Sequence, residues 1–136
     1  MRTAMRWILA AIYAVAGTIH LSMPSVFLPV MPGWVPAPDQ VILFTGACEL
    51  AGAVGLIVSR TRWLAGLMLG IYAVCVFPVN IKHALHGPTV FGLSNPWLYH
   101  APRLLLQPVL VWWALYAGEV TDWPFGRASS APRSAP

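Results

Sequence analysis

An all-α, integral membrane four-helix bundle is what this sequence predicts, and three observations carry that expectation. Hydrophobic residues make up 58% of the 136 and charged residues 9%, more apolar surface than a soluble domain of this size can bury. The apolar residues gather into four long stretches, and the length accommodates about four ~20-residue spans with short connections. Each stretch also carries a small polar cluster: Gly17 to His20, Gly46 to Glu49, Phe77 to Asn80, and Arg103 with Gln107.

The first helix is expected from about Ala4 to Leu21. Arg2 and Arg6 ahead of an apolar run resemble the start of a signal peptide, but no convincing cleavage site follows, so the segment reads as a retained span. Residues 22–38 hold Pro24, Pro29, Pro32, Pro36 and Pro38, which excludes a continuous helix. Val26, Phe27, Leu28, Val30, Met31 and Trp34 in the same segment suit an interfacial strip or a lid folded over the bundle. A second helix is expected from about Gln40 to Val58, with Asp39 as its N-cap. Arg60 to Arg62 form a tight turn, and a third helix runs from about Trp63 to Leu85. Pro78 is expected to kink it by denying the Val74 carbonyl its bond. His86 to Asn95 reads as a Gly- and Pro-rich loop, and Ser94, Asn95 and Pro96 open a fourth helix over about 96–118. Pro102 and Pro108 are expected to bend or interrupt that helix. Residues 1–120 thus form the membrane domain. Thr121 to Pro136 offers almost nothing to bury and reads as a disordered tail.

Eight Lys+Arg against four Asp+Glu give a formal net charge of +4. Arg2, Arg6, Arg60, Arg62, Arg127 and Arg133 would share one side of a four-span bundle. That distribution argues against a nucleic-acid site and, by the positive-inside rule, puts both termini in the cytoplasm and the proline-rich loop outside. Gly66 with Gly70, and Ala47 with Ala51 and Gly55, have the spacing of packed membrane helices. Trp97, Trp112, Trp113, Tyr116 and Trp123 are placed as interface anchors. Cys48 and Cys75 form no C-x-x-C pair and read as small packing residues.

The polar clusters can be ranked by depth. Glu49 lies about ten residues beyond Asp39, hence ~15 Å into a ~30 Å hydrocarbon core. His20 falls near the outer end of the first helix, and Asn80 lies ~25 Å from the inner side. Gln107 is one turn below Arg103, and His83 is one turn beyond Asn80 on the same face. All occupy the outer half, and the inner half has no comparable set. Glu49 and His20 are the candidate catalytic, proton-handling pair. Asn80, Arg103, Gln107 and His83 are the candidate ligand-binding residues. Structural roles stay open: Glu49 paired with Arg103, Arg103 reaching toward headgroups, or Asn80 capping the carbonyl freed by Pro78. His20, His83, His86 and His100 lack metal-ligand spacing, so no metal site is expected.

Taken together, Ala16 to His20, Met31-Pro32 with Pro36, Gly46 to Glu49, Arg60 to Arg62, Phe77 to Asn80, and Arg103 to Gln107 resemble the DoxX-like family of small four-helix membrane proteins. The likeness runs from about Ala10 to Trp113. It implies a multi-pass protein of the bacterial cytoplasmic (inner) membrane. It also implies association with membrane redox systems, since some members are subunits of thiosulfate:quinone oxidoreductase or partners of thiol-handling enzymes. The chain has no redox cysteine pair and no evident haem or flavin motif, which argues against autonomous redox catalysis.

The leading expectation is therefore a small redox-associated membrane subunit with an outward-opening pocket for a lipophilic ligand such as a quinone. No other cofactor is evident. Expected partners are the lipid bilayer and a membrane or periplasmic oxidoreductase, with a homo-oligomer left open. The alternatives are a proton-coupled carrier, an intramembrane acid/base enzyme acting on a lipid, and a scaffold without chemistry.

Overall fold

The computed structural model describes residues 1–86 and 97–126. The expected loop before the fourth helix, with its Ser94-Asn95-Pro96 cap, lies outside the described residues. Four long helices organise the rest: α1 (Arg2–Ser22), α2 (Pro38–Ile57), α3 (Arg62–His86) and α4 (Trp97–Ala117). Each bound falls within about two residues of its expected place. By length and composition, Arg2–Ser22, Pro38–Ile57 and Arg62–Leu85 can each cross a membrane. Helix α4 is as long as α1, at 21 residues, but carries His100, Arg103 and Gln107 within it.

Local chemistry explains the boundaries. In α1, Thr18 Oγ1 donates to the Ala14 carbonyl (2.7 Å) and Ser22 Oγ to the Thr18 carbonyl (2.6 Å), so both hydroxyls are satisfied inside the helix. Pro24 then stops it, and the proline-rich segment folds into two single 3₁₀ turns, Pro24–Val26 and Leu28–Val30. This segment packs back on the bundle. Phe27 stacks on His20 with ring centroids 4.0 Å apart, and Lys82 Nζ donates to the Met31 carbonyl.

Asp39 is not the N-cap of α2. Pro38 occupies the first turn and its fixed φ opens the helix earlier, after Ala37, which turns the chain with φ 44°. Asp39 sits within the first turn instead, where the helix dipole favours an acid. Helix α3 continues through Pro78, and α4 runs through both Pro102 and Pro108 as one element.

Close backbone approach holds the bundle together. A Cβ on Gly17 would lie 2.7 Å from the Gly46 carbonyl oxygen, so α1 and α2 touch where only glycine fits. A Cβ on Gly66 would lie 2.5 Å from Gly118 Cα and seals α3 against the end of α4 in the same way. Of the expected Ala47, Ala51 and Gly55 stripe, Gly55 does so against α3, where a Cβ would lie 2.8 Å from Ala65 Cβ, but Ala47 and Ala51 do not. Both residues face outward, and Gly46, Gly52 and Ala53 are the buried small residues of α2. Between these seams the core gathers Leu9, Ala10, Tyr13, Leu56, Leu69 and Ala114.

The end bearing the chain's N-terminus holds a polar network that sequence had not placed. Arg6 is buried and donates from Nε to the Ala117 carbonyl (2.9 Å) and from Nη2 to Glu119 (2.7 Å). Arg62 Nη1 donates to the same Glu119 carboxylate at 3.2 Å, and Arg2 pairs with Asp122 at 2.6 Å. Glu119 takes the left-handed position beyond α4 (φ 63°). There the Val120 N–H bonds the Leu115 carbonyl and the Glu119 N–H bonds the Tyr116 carbonyl, closing the helix end. So the end expected to face inward does have a polar set, made of ion pairs that need residues far apart in sequence.

Two of the expected interface anchors turn inward. Trp113 donates to the Met5 carbonyl (3.0 Å), and Tyr116 is buried against Trp112 with Arg2 over its ring. Residues 121–126, expected in a disordered tail, are tied down as well. Arg2 bonds the Thr121 carbonyl and Asp122, and Trp112 Nε1 bonds the Trp123 carbonyl. The remainder of that tail, 127–136, lies outside the described residues.

Candidate functional site

At the opposite end, beneath Phe27, Val30, Met31 and Val35, all four helices frame a cavity of about 710 Å³. The polar contacts between α1 and α4 fall at the Arg2–Arg6 end, and here the space between the two helices is open. Of the six candidate residues, His20, Glu49, Asn80, Arg103 and Gln107 all line this cavity. His83 stands behind Arg103, not on the wall. Apolar side chains, among them Ile42, Val76, Val79, Leu106 and Leu110, supply most of the remaining surface.

One polar set centres on Glu49, which is 4% exposed. Its Oε2 lies 2.8 Å from His20 Nδ1, and its Oε1 accepts the Tyr72 hydroxyl at 2.8 Å. His20 Nδ1 also lies 3.0 Å from the Ala16 carbonyl. With Glu49 as the carboxylate, both neighbours of Nδ1 are acceptors, so Nδ1 carries a hydrogen whether the ring is neutral or charged. Phe27 on its face and the Ala16 carbonyl at its edge hold the imidazole toward Glu49. A carboxylate with a donor on each oxygen is thus fixed at the wall of an otherwise apolar chamber.

The second set is a relay of side-chain amides. Gln107 Nε2 donates to the Ala73 carbonyl (2.5 Å), and Gln107 Oε1 accepts from Asn80 Nδ2 at 3.0 Å. Asn80 Oδ1 in turn accepts from Arg103 Nη2, and Arg103 Nη1 donates to His83 Nδ1 at 2.8 Å. Because a guanidinium can only donate, His83 accepts at Nδ1 and bears its hydrogen on Nε2. That Nε2 is buried without a hydrogen-bond partner among the described residues, as is Nδ1 of neighbouring His100, whose ring meets His83 edge-on at 4.9 Å. No group of three or more metal-ligating side chains comes together among the described residues.

Glu49 and Arg103 share the cavity, yet no ion pair joins them among the described residues. Tyr72 and Tyr13, which also line the cavity, were missed from sequence, and His100 was weighed there only as a metal ligand. Tyr72, Val76, Val79, Asn80 and His83 follow the i, i+4, i+7, i+8, i+11 spacing of one helix face, so the signal for Tyr72 was available once Asn80 was singled out. Its hydroxyl partner was not, because Glu49 lies on another helix.

Fold and site together define a helical protein with three membrane-compatible helices and, at one end of its bundle, a largely apolar cavity that carries polar side chains from all four helices. The chain belongs to the family described as domain of unknown function DUF8561, which matches residues 9–117. That match contains every cavity-lining residue named above. No curated protein and no solved structure matches the chain.

Proposed function

We propose that this is a four-span inner-membrane protein whose cavity holds a lipophilic ligand. In this reading it is a redox-associated subunit of the DoxX-like kind, the ligand is a compound such as a quinone, and the electrons come from a partner oxidoreductase. The observation that carries it is the convergence of polar side chains from all four helices on one largely apolar chamber of about 710 Å³, within the ~300–1,000 Å³ range of small-molecule sites. Asn80, Arg103 and Gln107 orient the oxygens of the ligand. Glu49 and His20, in direct contact, give or take the proton that accompanies its reduction.

The fourth span is supported by the exterior of α4. Leu105 and Val109 are exposed there, a surface suited to lipid, while His100 and Gln107 are buried. The basic residues at the Arg2, Arg60 and Arg62 end support an orientation with that end in the cytoplasm and the cavity toward the outside. With Cys48 and Cys75 replaced by Ser, a Gly33→Cys chain is expected to react with a membrane-impermeant maleimide added outside intact cells, and an Arg60→Cys chain only after lysis. The reverse pattern would invert the topology.

The ligand itself is tested by mass spectrometry of small molecules retained through gentle purification. Wild type is expected to carry a lipophilic compound that Glu49→Gln retains at no more than about a tenth of that level, a change of about 1.4 kcal/mol in affinity. Wild-type protein that carries nothing would remove the basis for a ligand site.

A further inference from the structure

Arg103 faces the cavity without a counter-ion. The chain has four acidic residues in all, and each is accounted for elsewhere. Glu49 holds His20 and Tyr72, Glu119 holds Arg6 and Arg62, Asp122 holds Arg2, and Asp39 is exposed in the first turn of α2. Residues 87–96 and 127–136 contain neither Asp nor Glu, so no side-chain carboxylate of this chain is left for Arg103. Its hydrogen-bond partners among the described residues, Asn80 Oδ1 and His83 Nδ1, are neutral acceptors, and the Tyr99 ring that its guanidinium overlies at 5.8 Å carries no net charge either. Of the five N–H donors of a guanidinium, two are engaged by these residues and the others meet no protein acceptor among the described residues. A cation placed among Val76, Val79, Leu106 and Leu110 is costly unless a negative charge completes it.

We infer that the occupant of the cavity is an amphiphile with an acidic head, a carboxylate or phosphate held by Arg103, and an apolar chain along Val76, Val79, Leu106 and Leu110. This rests on the cavity being a lipophilic ligand site and replaces the quinone of that reading: a ligand headed by an acid at Arg103 leaves Glu49 and His20 without a quinone to protonate. Guanidinium forks match the paired oxygens of carboxylate and phosphate, and Asn80 and His83 hold the fork from behind. The amide relay through Gln107 to the Ala73 carbonyl fixes Asn80 in turn. The head lies away from Glu49, whose two oxygens are already occupied by His20 and Tyr72.

The test measures binding of oleate, oleyl alcohol and a short-chain ubiquinone to the full chain in phosphatidylcholine nanodiscs. Oleate is expected to bind at least about tenfold more tightly than the alcohol or the quinone. Arg103→Gln is expected to erase that difference and Arg103→Lys to keep most of it. Asn80→Asp provides an independent check, because it supplies an internal carboxylate to Arg103 and should weaken oleate by about tenfold while sparing the alcohol. Competition by added phosphatidylglycerol would assign the head to a bilayer lipid, and its absence to a free amphiphile; either supports the acidic head. Neutral probes binding as tightly as oleate, unchanged in Arg103→Gln, would overturn the inference and leave the cavity a ligand site. Binding of none of the three would overturn both.

Discussion

Glu49→Ala is expected to lower stability by about 3 kcal/mol, because truncating one member of a buried hydrogen-bonded pair leaves its partners unmatched. Tyr72 loses the acceptor of its hydroxyl and His20 loses the carboxylate at Nδ1, both beside an apolar cavity. Glu49→Gln should be milder, near 1 kcal/mol. Its amide oxygen can still accept from Tyr72, but its NH₂ group then faces the N–H of His20. The imidazole must give up its hydrogen at Nδ1, and with it the bond to the Ala16 carbonyl. Tyr72→Phe removes the hydroxyl that Glu49 accepts and that also meets Thr45, and should cost about 1 kcal/mol. Reversible unfolding in detergent micelles compares the three. If Glu49→Ala proved as stable as wild type, the assignment of His20 and Tyr72 as its partners would be wrong.

The second large effect lies at the opposite end. Gly66→Ala is expected to destabilise the protein by about 1–3 kcal/mol, and Gly66→Leu to prevent α3 and α4 from closing. The added Cβ would meet Gly118 Cα at 2.5 Å and the Ala114 carbonyl oxygen at 2.8 Å, and a backbone contact cannot yield as a side-chain tip does. Gly126→Ala is the matched control, since nothing lies within 4 Å of its added carbon, and it should change stability by less than about 0.5 kcal/mol. Equal unfolding midpoints for Gly66→Ala and Gly126→Ala would refute the α3–α4 seam. Separation of that seam also threatens the cavity, because the same two helices carry Asn80, Arg103 and Gln107.

How far the site was legible depended on the kind of residue. Glu49, Asn80, Arg103 and Gln107 could be singled out because a polar group within an apolar run is conspicuous without knowledge of its neighbours. Tyr72 was not conspicuous, since an aromatic ring is at home in an apolar helix and only its hydroxyl makes it part of the site. Arg6 and Arg62 read as orientation signals at helix ends. Their second role, binding Glu119, follows from a chain turn more than fifty residues away from Arg62. Asp39 looked like a cap because a carboxylate beside a helix start usually is one, but Pro38 had already set the start.

Sequence by itself determined the helical segments to within about two residues, the apolar character that suits three of them to a membrane, and the identity of the misplaced polar groups. Composition and proline placement act locally, so they can be read along the chain. Only the tertiary structure decided that Glu49 answers to His20 and Tyr72 while Arg103 answers to Asn80 and His83. Only it decided that Gly46, not Ala47, meets α1. The physical reason is that lipid is as apolar as the bundle interior, so a helix such as α2 shows no hydrophobic face to mark its inward side. Its rotation is set by close-packed glycines and by polar partners on other helices, and those exist only once the helices meet.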